Sequence, residues 1–171
     1  MSDYLELTIG SAHEWNYKSV LDIGAPRDNS AVRFSQLMLQ GTGLFQATKH
    51  WRDRRIVNPT SNDDLDLTTL TQSLFGNGVI ISFAALKSLL LVNLTTVDSD
   101  VLRVGNYGAG GFAWPWGNVT TGFNDVGGAS PLHLANNTAD GWPVTNSSND
   151  MLRIRNLSAN TVSYDISLVG I

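Results

Sequence analysis

The chain contains no cysteine. Disulfide staples and thiolate metal sites are therefore excluded. Histidine is scarce too. His13, His50 and His133 lie far apart, and none has a second histidine at metal-ligand spacing. No metal and no cofactor are expected. No Gly-x-Ser-x-Gly elbow is present and no Cys–His pair is possible, so the sequence points away from an enzyme. Gly108 to Gly111 looks like a phosphate-binding glycine loop, but no Lys-Ser/Thr follows and no helix is expected to open there. Long hydrophobic runs are also missing. The longest, Val79 to Leu94, is broken by Ser82, Lys87, Ser88 and Asn93, and is too short and polar to span a bilayer. The opening MSDYLELTIG has neither a basic n-region nor an apolar h-region, so no signal peptide is expected and no membrane partner is implied.

Charge is thin. Charged residues make up 15% of the chain and the net charge is −4, a balance poorly suited to a phosphate backbone, so nucleic acid is not an expected partner. One segment departs from this. Lys49-His50-Trp51-Arg52-Asp53-Arg54-Arg55 is basic with an aromatic inside it. Trp51, Arg52, Arg54 and Arg55 are candidates for contact with an anionic partner. The competing reading is a strand edge whose arginines face solvent or an acidic neighbouring subunit. Carboxylates gather at Asp63, Asp64 and Asp66 and at Asp98 and Asp100. Calcium binding or a glycosidase pair would need such groups. Aspartates capping turns beside strands account for them as well, and no loop follows the twelve-residue calcium pattern. Asn93, Asn118, Asn136, Asn146 and Asn156 each begin an Asn-x-Ser/Thr triplet. Without a leader, these read as turn-forming asparagines.

What the chain does have is a succession of short apolar, β-rich runs separated by Gly, Asn and Asp. The stretch Asn62 to Asn106 repeats this habit, and YDISLVGI at the end repeats it again. That pattern predicts an all-β sandwich or barrel. At 171 residues, one domain spanning 1–171 is expected. Tyr4 to Ile9 should form a first strand. Residues 11–30 read as a long polar loop containing Trp15, Tyr17 and Pro26. Asn77-Gly78 signals a turn, with Gly76 widening it. Leu89 to Val92, apolar on both faces, suits the centre of a sandwich or an intersubunit sheet.

Residues 107–128 form a second expected loop, rich in glycine and aromatics. Tyr107, Phe112, Trp114 and Trp116, together with Trp142, are the main candidate contact residues. They would make a stacking platform for sugars, fill a subunit interface, or cap the open end of the sandwich.

Several segments carry a resemblance. They are Asp64-Leu65-Asp66-Leu67, Phe75-Gly76, Ile81-Ser82-Phe83 with Lys87 and Leu89 to Asn93, and Leu102-Arg103-Val104-Gly105. Toward the end come Asp140-Gly141-Trp142-Pro143-Val144, Asp150-Met151-Leu152-Arg153-Ile154, Asn156, and Tyr164 to Ile171. Trp51-Arg52-Asp53 with Arg55 fits the region before the Asp-Leu strand. Together these resemble a group of small tailed-bacteriophage virion proteins, over most of Trp51 to Ile171. The resemblance implies a single jelly-roll-like β-sandwich and a capsid decoration, or cement, protein. It implies the phage major capsid protein and the chain itself as partners, with a homotrimer as the expected assembly. It also implies synthesis in the host cytoplasm and residence on the capsid exterior. The alternative from the aromatic residues is a glycan-binding module of a tail fibre or baseplate.

Overall fold

The computed structural model describes residues 5–18, 27–74, 76–105 and 107–171. Tyr4, Pro26, Phe75 and Asn106, which entered the sequence reading, lie outside the described residues. All regular structure among the described residues is β.

The body is two five-stranded sheets around one apolar cluster. The first contains β4 (Lys49–Val57), β8 (Ala85–Asn93), β12 (Pro131–Ala135), β13 (Trp142–Pro143) and β15 (Val162–Gly170). Its order is β12-β8-β15-β4, and β13 extends the β12 side by pairing with the start of β8. The second contains β5 (Asn62–Asp66), β9 (Leu102–Gly105), β10 (Gly110–Gly111), β11 (Phe123–Val126) and β14 (Asn149–Asn156). β14 lies between β5 on one side and β9 and β10 on the other, and β11 pairs with β9. Leaving aside the two-residue strands, the orders are β4-β15-β8-β12 and β5-β14-β9-β11, and every pairing in them is antiparallel. β6 (Leu70–Leu74) and β7 (Asn77–Ile81) make a separate hairpin.

Alternation builds the core. Val162, Tyr164, Ile166 and Leu168 point inward from β15, while Ser163, Asp165 and Ser167 face out. Leu152 and Ile154 do the same on β14, as do Leu89 and Leu91 on β8. Leu90 on the opposite face of β8 is exposed. The segment expected to be apolar on both faces therefore has one face in the core and one in the open.

Two polar devices close the ends of the sandwich. Buried Asn93 donates to the carbonyls of Asp100 and Val126, and buried Asn156 donates to those of Val57 and Asn160. Each offsets the cost of its burial with hydrogen bonds to backbone carbonyls. Four of the Asn-x-Ser/Thr triplets are turns: the side-chain oxygens of Asn93, Asn118, Asn136 and Asn156 accept the amide two residues on.

Residues 11–30 depart most from the sequence reading. Residues 11–18 and 27–30 are strand rather than loop, and 19–26 lie outside the described residues. β1 (Leu7–Lys18) and β2 (Arg27–Gln40) form one antiparallel hairpin in unbroken register from Leu7↔Met38 to Lys18↔Arg27. β3 (Gln46–Ala47) adds in parallel at its root. Cross-strand pairing, which polar residues support as well as apolar ones, holds this segment extended. The expected turn at Asn77-Gly78 also shifts. Leu74 pairs with Asn77, so the reversal comes two residues earlier, and Asn77 and Gly78 belong to β7.

Candidate functional site

The basic run lies on β4, an edge strand, and its side chains divide by parity. Trp51 points into the core, 1% exposed, and its indole nitrogen donates to the Thr71 carbonyl at 2.9 Å. It is a core residue, which corrects its candidacy as a contact residue. The arginines are mostly paired. Arg54 forks onto Asp165 at 2.6 and 2.8 Å, directly across the β4–β15 ladder. Arg55 grips Asp63 at 2.5 and 2.8 Å and also reaches Asp53. Arg52 is exposed and finds no acidic partner among the described residues. The same device recurs elsewhere: Arg103 with Asp125 and Arg153 with Asp64 are bidentate pairs between register-opposed residues.

Hydrogen bonds and ion pairs also account for four of the five clustered aspartates. Asp63 and Asp64 serve Arg55 and Arg153, Asp66 accepts from Thr68, and Asp100 accepts from Thr95 and Asn160. Among the described residues no three His, Asp or Glu side chains converge to hold a metal.

The aromatic candidates do not form a platform. Phe112 is buried in the core, and Trp142 is buried on β13 of the opposite sheet. Trp116 packs against the core over Gly105 and Gly122, where an added Cβ would collide with its side chain or with backbone, and its indole donates to Asn124 at 2.6 Å. The Tyr107 ring receives the Arg153 guanidinium, 4.6 Å from its centroid. Only Trp114, 43% exposed, presents itself to solvent from this group. Nor is 107–128 a single loop. β10 and β11 lie within it, and it is tied to the body by Phe112 N–H to the Met151 carbonyl and Ala113 N–H to Asn149.

Among the described residues, two surfaces stand out. One is the outer face of the sheet β12-β8-β15-β4. There Arg52, Arg54, Leu90, Val92, Asp165 and Ser167 border an open groove of about 630 Å³. Ile56, 66% exposed, lies on the same face beyond Asp165. His50 and His133 stand at its other end, bonded to Ser167 at 3.0 Å and Ser88 at 3.3 Å. Burial lowers the proton affinity of both imidazoles, and the nearby Arg52 charge lowers that of His50 further.

The other surface is the β1–β2 hairpin. Its root is fixed: Ile9, Met38 and Ala47 bury against Val169, and Leu5 and Leu7 pack alongside. Lys87, wholly buried, donates to the Gly43 carbonyl at 2.7 Å and so clamps the turn after β2. Burial depresses the proton affinity of this ammonium, opposed by the Asp140 charge. Beyond the root, the side chains of residues 10–14 and 30–35 are all exposed. Val32 is 67% exposed and Phe34 46%. Register places Ile9, Phe34, Val32 and Met38 on one face of the hairpin, so the apolar stripe that begins buried at the root continues into solvent. Sequence reasoning found the root of this arm, as a first strand over Tyr4 to Ile9, and missed the part beyond it. The period-two recurrence of apolar and aromatic residues at Leu5, Leu7, Ile9, Trp15 and Tyr17 was the available signal.

The chain matches no protein-family model, no curated protein and no solved structure.

Proposed function

We propose that this chain is a non-enzymatic decoration protein of a tailed-phage head, built as an eight-stranded jelly roll. Numbering the eight body strands β4, β5, β8, β9, β11, β12, β14 and β15 in chain order turns the sheet orders into 1-8-3-6 and 2-7-4-5. That is the order produced when a long antiparallel ribbon folds over on itself, and it supports the jelly-roll reading. Capsid and lectin domains both use this architecture, so the fold alone leaves function open.

The observation that carries the decoration reading is the β1–β2 arm. It pairs in register for twelve residues per strand, about 40 Å at the usual rise. Two-stranded ribbons are marginal alone in water, and this one exposes Val32 and Phe34. Such an arm acquires stability and purpose in an assembly. The mechanism is mass action: copies bind across adjoining capsomers and stabilise the bound lattice by about 2.7 kcal/mol at a hundredfold excess over Kd. The major capsid protein is the partner, on the head exterior.

Trp114 favours the second reading, a glycan-binding tail module, because it is a large aromatic held outward on a tethered loop. Purified chain incubated with undecorated heads and separately with a glycan array distinguishes the two. Saturable co-sedimentation with heads supports decoration. Glycan binding lost in Trp114→Ala, with no head binding, overturns it.

A further inference from the structure

We infer that the β1–β2 arm of one copy lies on the outer face of the β12-β8-β15-β4 sheet of a second copy, with Val32 and Phe34 seated against Leu90 and Val92. This deepens the proposed function by assigning the self-contact, but its test needs no heads.

The first argument is continuity. Within one chain, the arm root already covers part of this outer face: Ile9 and Met38 pack on Val169 of β15. Ser167 and Asp165 follow Val169 outward along the same face, and the groove opens beside them. The side chain opposite Ser167 on β8 is Leu90, and the one opposite Asp165 is Val92. The face that accepts the buried half of the apolar stripe thus continues past the point where its own arm departs. Apart from β3 at its root, no other described strand makes more than isolated contacts with the arm. The exposed Val32 and Phe34 of the arm and the outward Leu90 and Val92 of the face occur in every copy, so a second copy supplies an apolar partner for each.

The second argument is area. From Gly10↔Ser35 outward the arm runs about 30 Å, and two paired strands are about 10 Å wide. One face of it covers roughly 300 Å² and is covered by as much on the receiver. A reciprocal exchange of two arms buries roughly 1,200 Å², the lower bound for a specific, stable interface. Two copies, or a closed ring in which each gives one arm and receives one, satisfy every arm and every groove.

The experiment combines sedimentation velocity with cross-linking. Wild-type chain at micromolar concentration should sediment as an oligomer. The double variant Val32→Asp, Phe34→Asp should sediment as monomer while its body still unfolds cooperatively, because both side chains are already exposed in a single chain; its melting temperature should fall by no more than the lost association accounts for. The chain has no cysteine, so chain carrying Val32→Cys mixed with chain carrying Leu90→Cys should form a mixed disulfide under mild oxidation. A monomeric wild type, an oligomer indifferent to the two aspartates, or no mixed disulfide each overturns the inference. Head binding by a monomeric wild type would sink the arm exchange while leaving decoration standing.

Discussion

Tyr164 donates its hydroxyl across the sandwich to Asp63 at 2.8 Å. One residue belongs to β15 and the other to β5, so the bond joins the two sheets. Asp63 also receives the Arg55 fork, and register sets Tyr164 opposite Arg55. Burial raises the Tyr164 pKa, and the Asp63 charge raises it further, so the phenol stays a donor throughout the working range. The triad is a structural clasp at one edge of the body.

Tyr164→Phe removes one hydrogen bond to a charged acceptor and leaves Asp63 paired with Arg55. A loss of about 1.5 kcal/mol is expected. Asp63→Ala leaves the phenol without its acceptor and the guanidinium with Asp53 alone, and should cost more. Urea unfolding of both variants checks the order.

Trp51 and Trp114 should separate cleanly. Trp51→Ala opens a cavity in the core and removes the bond to Thr71, with an expected cost of about 3–5 kcal/mol. Trp114→Ala changes an exposed side chain and should stay within about 0.5 kcal/mol of wild type. Equal losses in the two variants would contradict the placement of these residues.

The body was legible because burial writes a period of two into the strands that line it. Leu152 and Ile154, and Tyr164, Ile166 and Leu168, announce their inward face directly. The arm was legible at its root, where Leu7 and Ile9 alternate, but not beyond it, since no core dictates its composition there: Ser11, Glu14, Ser30 and Ser35 are as compatible with a loop as with a solvated ribbon. Trp51 was misread by its neighbours. Arg52 and Arg54 mark the outward face of β4, and the same alternation that sends them out sends Trp51 in. The aromatic group dispersed because Phe112 and Trp142 serve opposite sheets, a separation set by topology rather than by spacing.

Acid should weaken the fold before the carboxylates titrate. His50 and His133 bind protons less readily in the folded chain than at the free value of 6.5. The unfolded chain therefore takes up protons first as pH falls. Stability is complete above about 6.5 and declines below it. Melting temperatures should hold between pH 8 and 7 and drop between 6.5 and 5. The variant His50→Gln, His133→Gln should flatten that drop.

Lys87→Met keeps the packing of the stem and removes the donor from the Gly43 carbonyl. The arm root should loosen while the body holds. Hydrogen exchange at Gly41, Gln46 and Thr48, whose amides bond within the root or to Gly170, should accelerate about tenfold, equivalent to about 1.4 kcal/mol of local opening. Unchanged protection there would mean that the clamp is dispensable.

Calorimetry of undecorated phage heads titrated with the purified chain tests decoration most directly. The account predicts that the temperature of head disruption rises with added chain and reaches a plateau at a fixed, capsomer-related number of bound copies. A disruption temperature that does not move at saturating chain, with no copies retained on the heads, would contradict it.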